Sequence, residues 1–167
     1  MTTSSRATVL QKGSQGSEVT RLQVKLNNWL DSKQYGRLLA EDGIFGNATQ
    51  RIVRFFQCHH FLMIDGIVGP YTQACLERGV AALPTLRAGN QGSLVRRVQE
   101  VLKNYGIDPG ALDGVYGAKT YAAVIRFQND YHIYDVEGNA TGEVGLSTWM
   151  HLALEPANIS CGPLTVR

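Results

Sequence analysis

The chain has 167 residues, 44% of them hydrophobic and 18% charged, a balance that supports a packed core and excludes the polar, highly charged composition of a disordered chain. With 16 Lys and Arg against 14 Asp and Glu the net charge is +2, too weak a field to hold a polyanion, which argues against nucleic acid as a partner. The length admits one domain of ordinary size or two very small ones, and no apolar run approaches the roughly 20 residues a membrane helix needs.

In chain order, Met1 to Leu10 holds no apolar signal core, so the sequence as written carries nothing that exports or anchors it. Val19, Leu22, Leu26 and Trp29/Leu30 then recur at helical spacing and predict a first amphipathic helix, with Ser14, Ser17 and Glu18 as capping-type residues ahead of it. Asp42-Gly43 is a tight-turn dipeptide, and Gly46 marks the start of a second helix carrying Ile52, Val53 and Phe56. Phe55, next to Phe56, falls off that apolar face. A second Asp-Gly pair, Asp65-Gly66, precedes a third helix opening at Gly69-Pro70, where the missing proline N–H would be unpaired in any case.

After Glu77 to Thr85, a connection with an apolar centre from Val80 to Leu83, the same order begins again. Leu10 to Leu26 recurs as Leu86 to Leu102 at an offset of 76. Asp42-Gly-Ile-Phe-Gly-Asn-Ala-Thr49, leading to Phe56-Gln57, recurs as Asp113-Gly-Val-Tyr-Gly-Ala-Lys-Thr120, leading to Phe127-Gln128, at an offset of 71. Asp65-Gly-Ile-Val-Gly-Pro-Tyr-Thr72 matches Thr141-Gly-Glu-Val-Gly-Leu-Ser-Thr148, again at 76. Three blocks in one order, with insertions only between them, make two diverged copies of a unit of about 67 residues, each predicted as three short helices. The expected boundaries are residues 8–78 for the first copy, 79–85 for the linker, 86–154 for the second copy and 155–167 for a C-terminal tail.

Together the blocks carry a resemblance. The order Gly-x-x-Gly-x-x-Val-x-x-Leu-Gln-x-x-Leu from Gly13 to Leu26, then Asp-Gly-x-Phe-Gly-x-x-Thr, Phe-Gln and Asp-Gly-x-Val-Gly-x-x-Thr resembles the peptidoglycan-binding domain family of three-helix modules, over residues 10–76 and 86–152. The second copy departs at Thr141, which replaces an aspartate, and at Val98, which replaces a leucine; Thr148-Trp149 has the family's common pair where the first copy has Thr72-Gln73. The resemblance implies an all-α fold of two tandem three-helix bundles and noncovalent attachment to peptidoglycan, glycan strand or stem peptide. It also implies anchoring of a partner, either a cell-wall hydrolase, which can be a separate chain, or a wall protein, with an extracellular or wall-associated site of action and a bacterial or phage origin. No cofactor and no metal are implied. Two linked weak sites on a polymeric ligand gain through effective concentration, so bivalency is the expected mechanism.

The candidate ligand-binding residues are Asp42, Gly43, Phe45, Gly46, Thr49 and Asp65 in the first copy, with Asp113, Gly114, Tyr116, Gly117 and Thr120 in the second. Each has a structural role to weigh beside the functional one. The aspartates can accept backbone N–H bonds, the threonines can cap helices, the glycines can serve turns, and Phe45 and Tyr116 can either plug a bundle end or wall a groove. Gln23 and Gln99 are polar residues on an apolar face, where a buried amide must find partners, so they are expected to tie down a loop. Phe55, Tyr35, Tyr121, Tyr131 and Tyr134 are the alternative stacking surfaces for a sugar, while Trp29 and Trp149 fit core positions.

Catalysis is not expected: with both copies placed, only residues 1–9, 77–85 and 153–167 remain, and although paired carboxylates such as Glu41/Asp42 could in principle serve glycoside hydrolysis, a three-helix bundle this small seldom builds the cleft that chemistry needs. Cys58, Cys75 and Cys161 are odd in number with no Cys-x-x-Cys spacing, so neither a disulfide framework nor a zinc ribbon is indicated; at most one pair bridges and one thiol stays free. Cys58-His59-His60 looks metal-like, but neighbours on a helix point in different directions. Ser160-Cys161-Gly162-Pro163 bears a weaker resemblance to the inhibitory cysteine segment of matrix metalloprotease propeptides, and departs from it on both sides of the cysteine. The alternative function is a protein-interaction module that kept the fold without wall binding.

Overall fold

In the computed structural model, residues 9–154 and Cys161 are described; the expected tail, residues 155–167, lies outside the described residues apart from Cys161. The chain forms α1 (Ser17–Ser32), α2 (Asn47–His59), α3 (Pro70–Arg78), a 3-10 turn (Gly79–Ala82), α4 (Ser93–Asn104), α5 (Ala118–Asp130) and α6 (Leu146–Leu154). The fold is all-α: among the described residues, extended pairing is confined to the isolated bridges Leu10 with Val68, Gln15 with Ile44, Leu86 with Val144 and Gln91 with Val115. Two compact units result. Among the described residues, the first holds the chain up to Gln57 together with Ile64–Gly79, and the second holds Cys58–Met63 together with residues 80–154 and Cys161.

In unit 1, α1 buries Val19, Leu22, Leu26 and Leu30 along one stripe, and α2 opposes it with Ile52, Val53 and Phe56. Each such side chain removed from water contributes about 1.5–3 kcal/mol. Phe55 is buried as well, at 7% exposure, which corrects its expected surface position. The cause is aromatic packing: the Trp29 ring meets Phe55 at 5.9 Å and Phe56 at 4.9 Å, and Tyr35 meets Phe55 at 5.4 Å. Tyr35 belongs to the residues inserted in the first copy, and Asn27 anchors that insertion. Its carboxamide donates to Leu39 O (3.0 Å) and to Glu41 Oε1 (2.9 Å), and accepts from Leu39 N (3.0 Å). Glu41 also pairs with Arg37.

Unit 2 repeats the plan with Val95, Val98, Val101 and Leu102 on α4 and Ala123, Val124 and Phe127 on α5. Trp149 is buried at 1% exposure, its indole N–H donating to Pro84 O at 3.0 Å and its ring 5.7 Å from Phe61. Tyr131 stacks on Phe127 at 4.6 Å.

The helix starts differ from expectation in one respect. α1 and α4 are capped by Gly16 (φ 110) and Gly92 (φ 122), without a side-chain cap. Ser14 instead receives the Gln11 N–H in the turn before, as Asn90 receives that of Arg87. Pro70 takes the first position of α3 behind Gly69, as its fixed φ favours. Of the three cysteines, Cys58 and Cys161 form a disulfide and Cys75 is free and buried.

Truncation of the anchor by Asn27→Ala leaves both Leu39 backbone groups without these partners, and unfolding free energy should fall by about 1–3 kcal/mol. Hydrogen exchange at the Leu39 amide should accelerate while the amides of α4 and α5 keep their protection. A Leu39 amide as slow as before would remove the anchoring role.

Candidate functional site

Each helix that follows an Asp-Gly loop is held to the loop by one buried glutamine. In the first copy, Gln23 donates through Nε2 to Asp42 Oδ1 (2.9 Å), Ile44 O (3.1 Å) and Thr49 Oγ1 (3.3 Å), and its Oε1 accepts from Gly43 N (2.9 Å). Gln99 does the same with Asp113 (3.2 Å), Val115 O (3.0 Å), Thr120 (3.0 Å) and Gly114 N (2.9 Å). Both glutamines are 1% exposed, and tying down a loop is the role their position on an apolar face led us to expect.

The network then appears twice more, at positions the sequence did not single out. Gln57 donates to Asp65 Oδ1 (2.8 Å), Ile67 O (2.9 Å) and Thr72 Oγ1 (3.3 Å) and accepts from Gly66 N (2.9 Å). Gln128 donates to Thr141 Oγ1 (3.5 Å), Glu143 O (2.8 Å) and Thr148 Oγ1 (3.0 Å) and accepts from Gly142 N (2.8 Å). Each copy is therefore built from two half-copies. Two signals were present: the Phe-Gln pair that recurs before each second loop, and the equal Gly-to-Thr spacing in all four loops.

The lead-in to each copy threads past both of its loops. Gly13 N donates to Phe45 O (3.0 Å), Phe45 N to Ser14 O (3.0 Å) and Gly16 N to Gly43 O (2.9 Å), while Leu10 and Val68 exchange bonds at 3.3 and 2.8 Å. The second copy repeats these with Gly89, Asn90, Gly92, Gly114 and Tyr116, and with Leu86 against Val144. Close approach makes the loop glycines obligatory: at Gly43 (φ 71) a Cβ would stand 2.9 Å from Thr20 Oγ1, and at Gly114 (φ 75) 2.9 Å from the Gly92 carbonyl.

Burial sorts the candidate residues. Phe45 and Tyr116 are 1% exposed and Thr49 and Thr120 are 2% exposed, so these side chains face the core and not a ligand. The threonines receive the glutamine amide instead of capping a helix. Tyr116 donates its hydroxyl to Gly142 O at 2.8 Å, and burial pushes its pKa far up. Gly43 and Gly114 are buried too. What the first loop offers to solvent is Asp42, Ile44, the Gly46 corner, Asn47 and Ala48; the third offers Asp113, Val115, the Gly117 corner, Ala118 and Lys119. A Cβ at Gly46 or Gly117 would meet nothing within 4 Å. Asp65 is exposed in the second loop, and Tyr121, itself exposed, lays its ring against the Gly142 backbone beside the fourth.

Asp42 and Asp113 are held in the anionic form. Asp42 has its pKa lowered by the bond from Gln23 and then by the Ile44 N–H, Asp113 by the Val115 N–H and then by Gln99. Such corners can present a rigid arrangement of backbone and carboxylate to a polar ligand. Among the described residues no group of three or more His, Cys, Asp or Glu is gathered as a metal site.

Residues 15–76 and 91–152 each match the family model described as "Putative peptidoglycan binding domain". Among curated proteins, the chain is 31% identical over 150 residues to the N-acetylmuramoyl-L-alanine amidase CwlL of Bacillus licheniformis, covering 74% of this chain and 41% of the relative. It is 34% identical over 151 residues to a probable N-acetylmuramoyl-L-alanine amidase of the same organism, covering 78% and 42%. The chain thus spans about two fifths of the length of these relatives. A solved structure of the Burkholderia AP3 phage endolysin is 25% identical with a TM-score of 0.40, covering 72% of this chain and 38% of that one.

Gln99→Met keeps the side-chain volume but strips partners from Gly114 N–H and Asp113, and should lower stability by roughly 2–4 kcal/mol in denaturant titration. Gln128→Met, which deprives no carboxylate, should cost less; the reverse order would contradict the network. Because the folded-state pKa values of Asp42 and Asp113 lie below the ordinary 3.8, these carboxylates add stability that is complete above that value and is lost as pH falls through the lowered ones. The double variant Asp42→Asn, Asp113→Asn should therefore flatten the acid limb of the melting profile below about pH 4. An unchanged limb would show that the loop carboxylates do not act this way.

Proposed function

The chain belongs to the peptidoglycan-binding domain family, with two tandem copies of the domain, and on that premise we propose that it is a noncatalytic module attaching a wall-hydrolysing partner to bacterial cell wall by bivalent, noncovalent contact with peptidoglycan. The observation that carries this proposal is repetition: both copies keep the same glutamine-braced loop, with the same glycine corner open to solvent.

The amidase relatives support a hydrolase as the partner, whether joined to these domains or separate, and the wall as the place of action. A net charge of +2 leaves little bulk attraction to anionic wall polymers. Affinity then rests on shape, hydrogen bonds and the effective concentration of a second site once the first is engaged.

Blocking the corners tests this in the intact chain. Gly46→Gln and Gly117→Gln place a side chain in open space, so melting temperature should hold while the corner is covered. In co-sedimentation with purified sacculi, either single variant should weaken retention by about tenfold or more and the double should abolish it. Full retention by the folded double variant would move the site elsewhere. Failure of the unmodified chain to sediment would favour a protein-interaction module.

A further inference from the structure

We infer that the Cys58–Cys161 disulfide is a maturation latch, an oxidative modification closed outside a reducing cytosol, from which Cys75 is excluded by its position. This inference does not rest on wall attachment. Three cysteines allow three pairings, and the structure brings one pair to bridging range, with Cα atoms 5.7 Å apart in unit 2. Cys75 sits in α3 of unit 1 at 3% exposure. Burial pushes its thiol up to about 11, against a smaller opposing effect of Arg78, so little thiolate is present to enter exchange.

The pair itself is differentiated. Cys161 is partly exposed and open to an external reagent, whereas Cys58 is buried at 2% with its sulfur 3.6 Å from the Arg97 guanidinium, a cation that favours the thiolate once the pair is reduced. Closure then proceeds by exchange with a disulfide oxidant, a small-molecule or protein disulfide. The Cys161 thiolate attacks one oxidant sulfur, forming a mixed disulfide and releasing the first oxidant thiol. The Cys58 thiolate attacks Cys161 Sγ, closing the bond and releasing the second. The chain loses two protons and two electrons, and the oxidant takes up both. Bonds of this kind persist in oxidising compartments and are rare in the cytosol. The loop closed has a sequence separation of 103 and contains the entire second copy, so cross-linking restricts the unfolded chain over most of its length.

The test counts thiols in the full chain equilibrated with a glutathione redox pair at an oxidising ratio, then alkylated in denaturant and weighed intact. One adduct is expected before reduction and three after, with the cross-linked peptide joining Cys58 to Cys161. Cys75→Ser should give none before reduction, and Cys161→Ser should give two. Reduction should lower the melting midpoint of the unmodified chain by roughly 5–15 °C and leave that of the double variant Cys58→Ser, Cys161→Ser unmoved. Three adducts under oxidising conditions, a bridge through Cys75, or a midpoint indifferent to reduction would each overturn the proposal.

Discussion

A buried carboxamide carries donors and an acceptor that must all be satisfied away from water, and in this chain the group that satisfies them is a glycine loop, Asp-Gly in three cases and Thr-Gly in the fourth. Gln23, Gln57, Gln99 and Gln128 each reach from one helix to the backbone N–H of a loop glycine, to the carbonyl of the residue that follows that glycine and to a threonine in the next helix. The bond set fixes loop, preceding helix and following helix as one rigid corner. An unsatisfied group in such a site costs about 1–3 kcal/mol, a large fraction of what a module of this size has in reserve. Other features of each corner follow from it: glycine at the turn, a hydroxyl at the helix, and an acceptor ahead of the glycine.

The four corners are not equal. Three have an aspartate as that acceptor; the fourth has Thr141, which meets its glutamine at 3.5 Å where the aspartates meet theirs at 2.8–3.2 Å. Tyr116 compensates across the second copy by bonding Gly142 O, a link that Phe45 lacks a hydroxyl to make. The second copy therefore buys with an aromatic hydroxyl what it gives up in a carboxylate. Divergence has proceeded by exchanging partners around a kept glutamine.

Much of this was legible in the sequence, and the reasons for the rest are physical. The blocks of Asp, Gly, Phe and Gln located both copies and all six helices, because turn glycines and apolar stripes leave periodic marks. Gln23 and Gln99 stood out as polar residues on an apolar face. Gln57 and Gln128 carry no such mark, because they lie near the ends of helices whose apolar pattern is already satisfied by Phe56 and Phe127. For Phe45, Tyr116, Thr49 and Thr120 the sequence does not distinguish a side chain that closes a core from one that walls a groove. Phe55 does not announce its burial because one of the two rings that cover it, Tyr35, belongs to an insertion with no counterpart in the second copy, while the other, Trp29, comes from α1. The partner of Cys58 could not be chosen from three cysteines alone.

On the proposed function, the glutamine frame is a preformed support and the two glycine corners are the surfaces that would meet the wall. A titration of the full chain with soluble peptidoglycan fragments, followed by nuclear magnetic resonance, tests this most directly. Shifts should gather at Gly46, Asn47 and Ala48 and at Gly117, Ala118 and Lys119, while the side-chain amide signals of Gln23 and Gln99 stay slow to exchange throughout. Shifts confined to other surfaces, or glutamine signals that exchange freely before ligand is added, would contradict it.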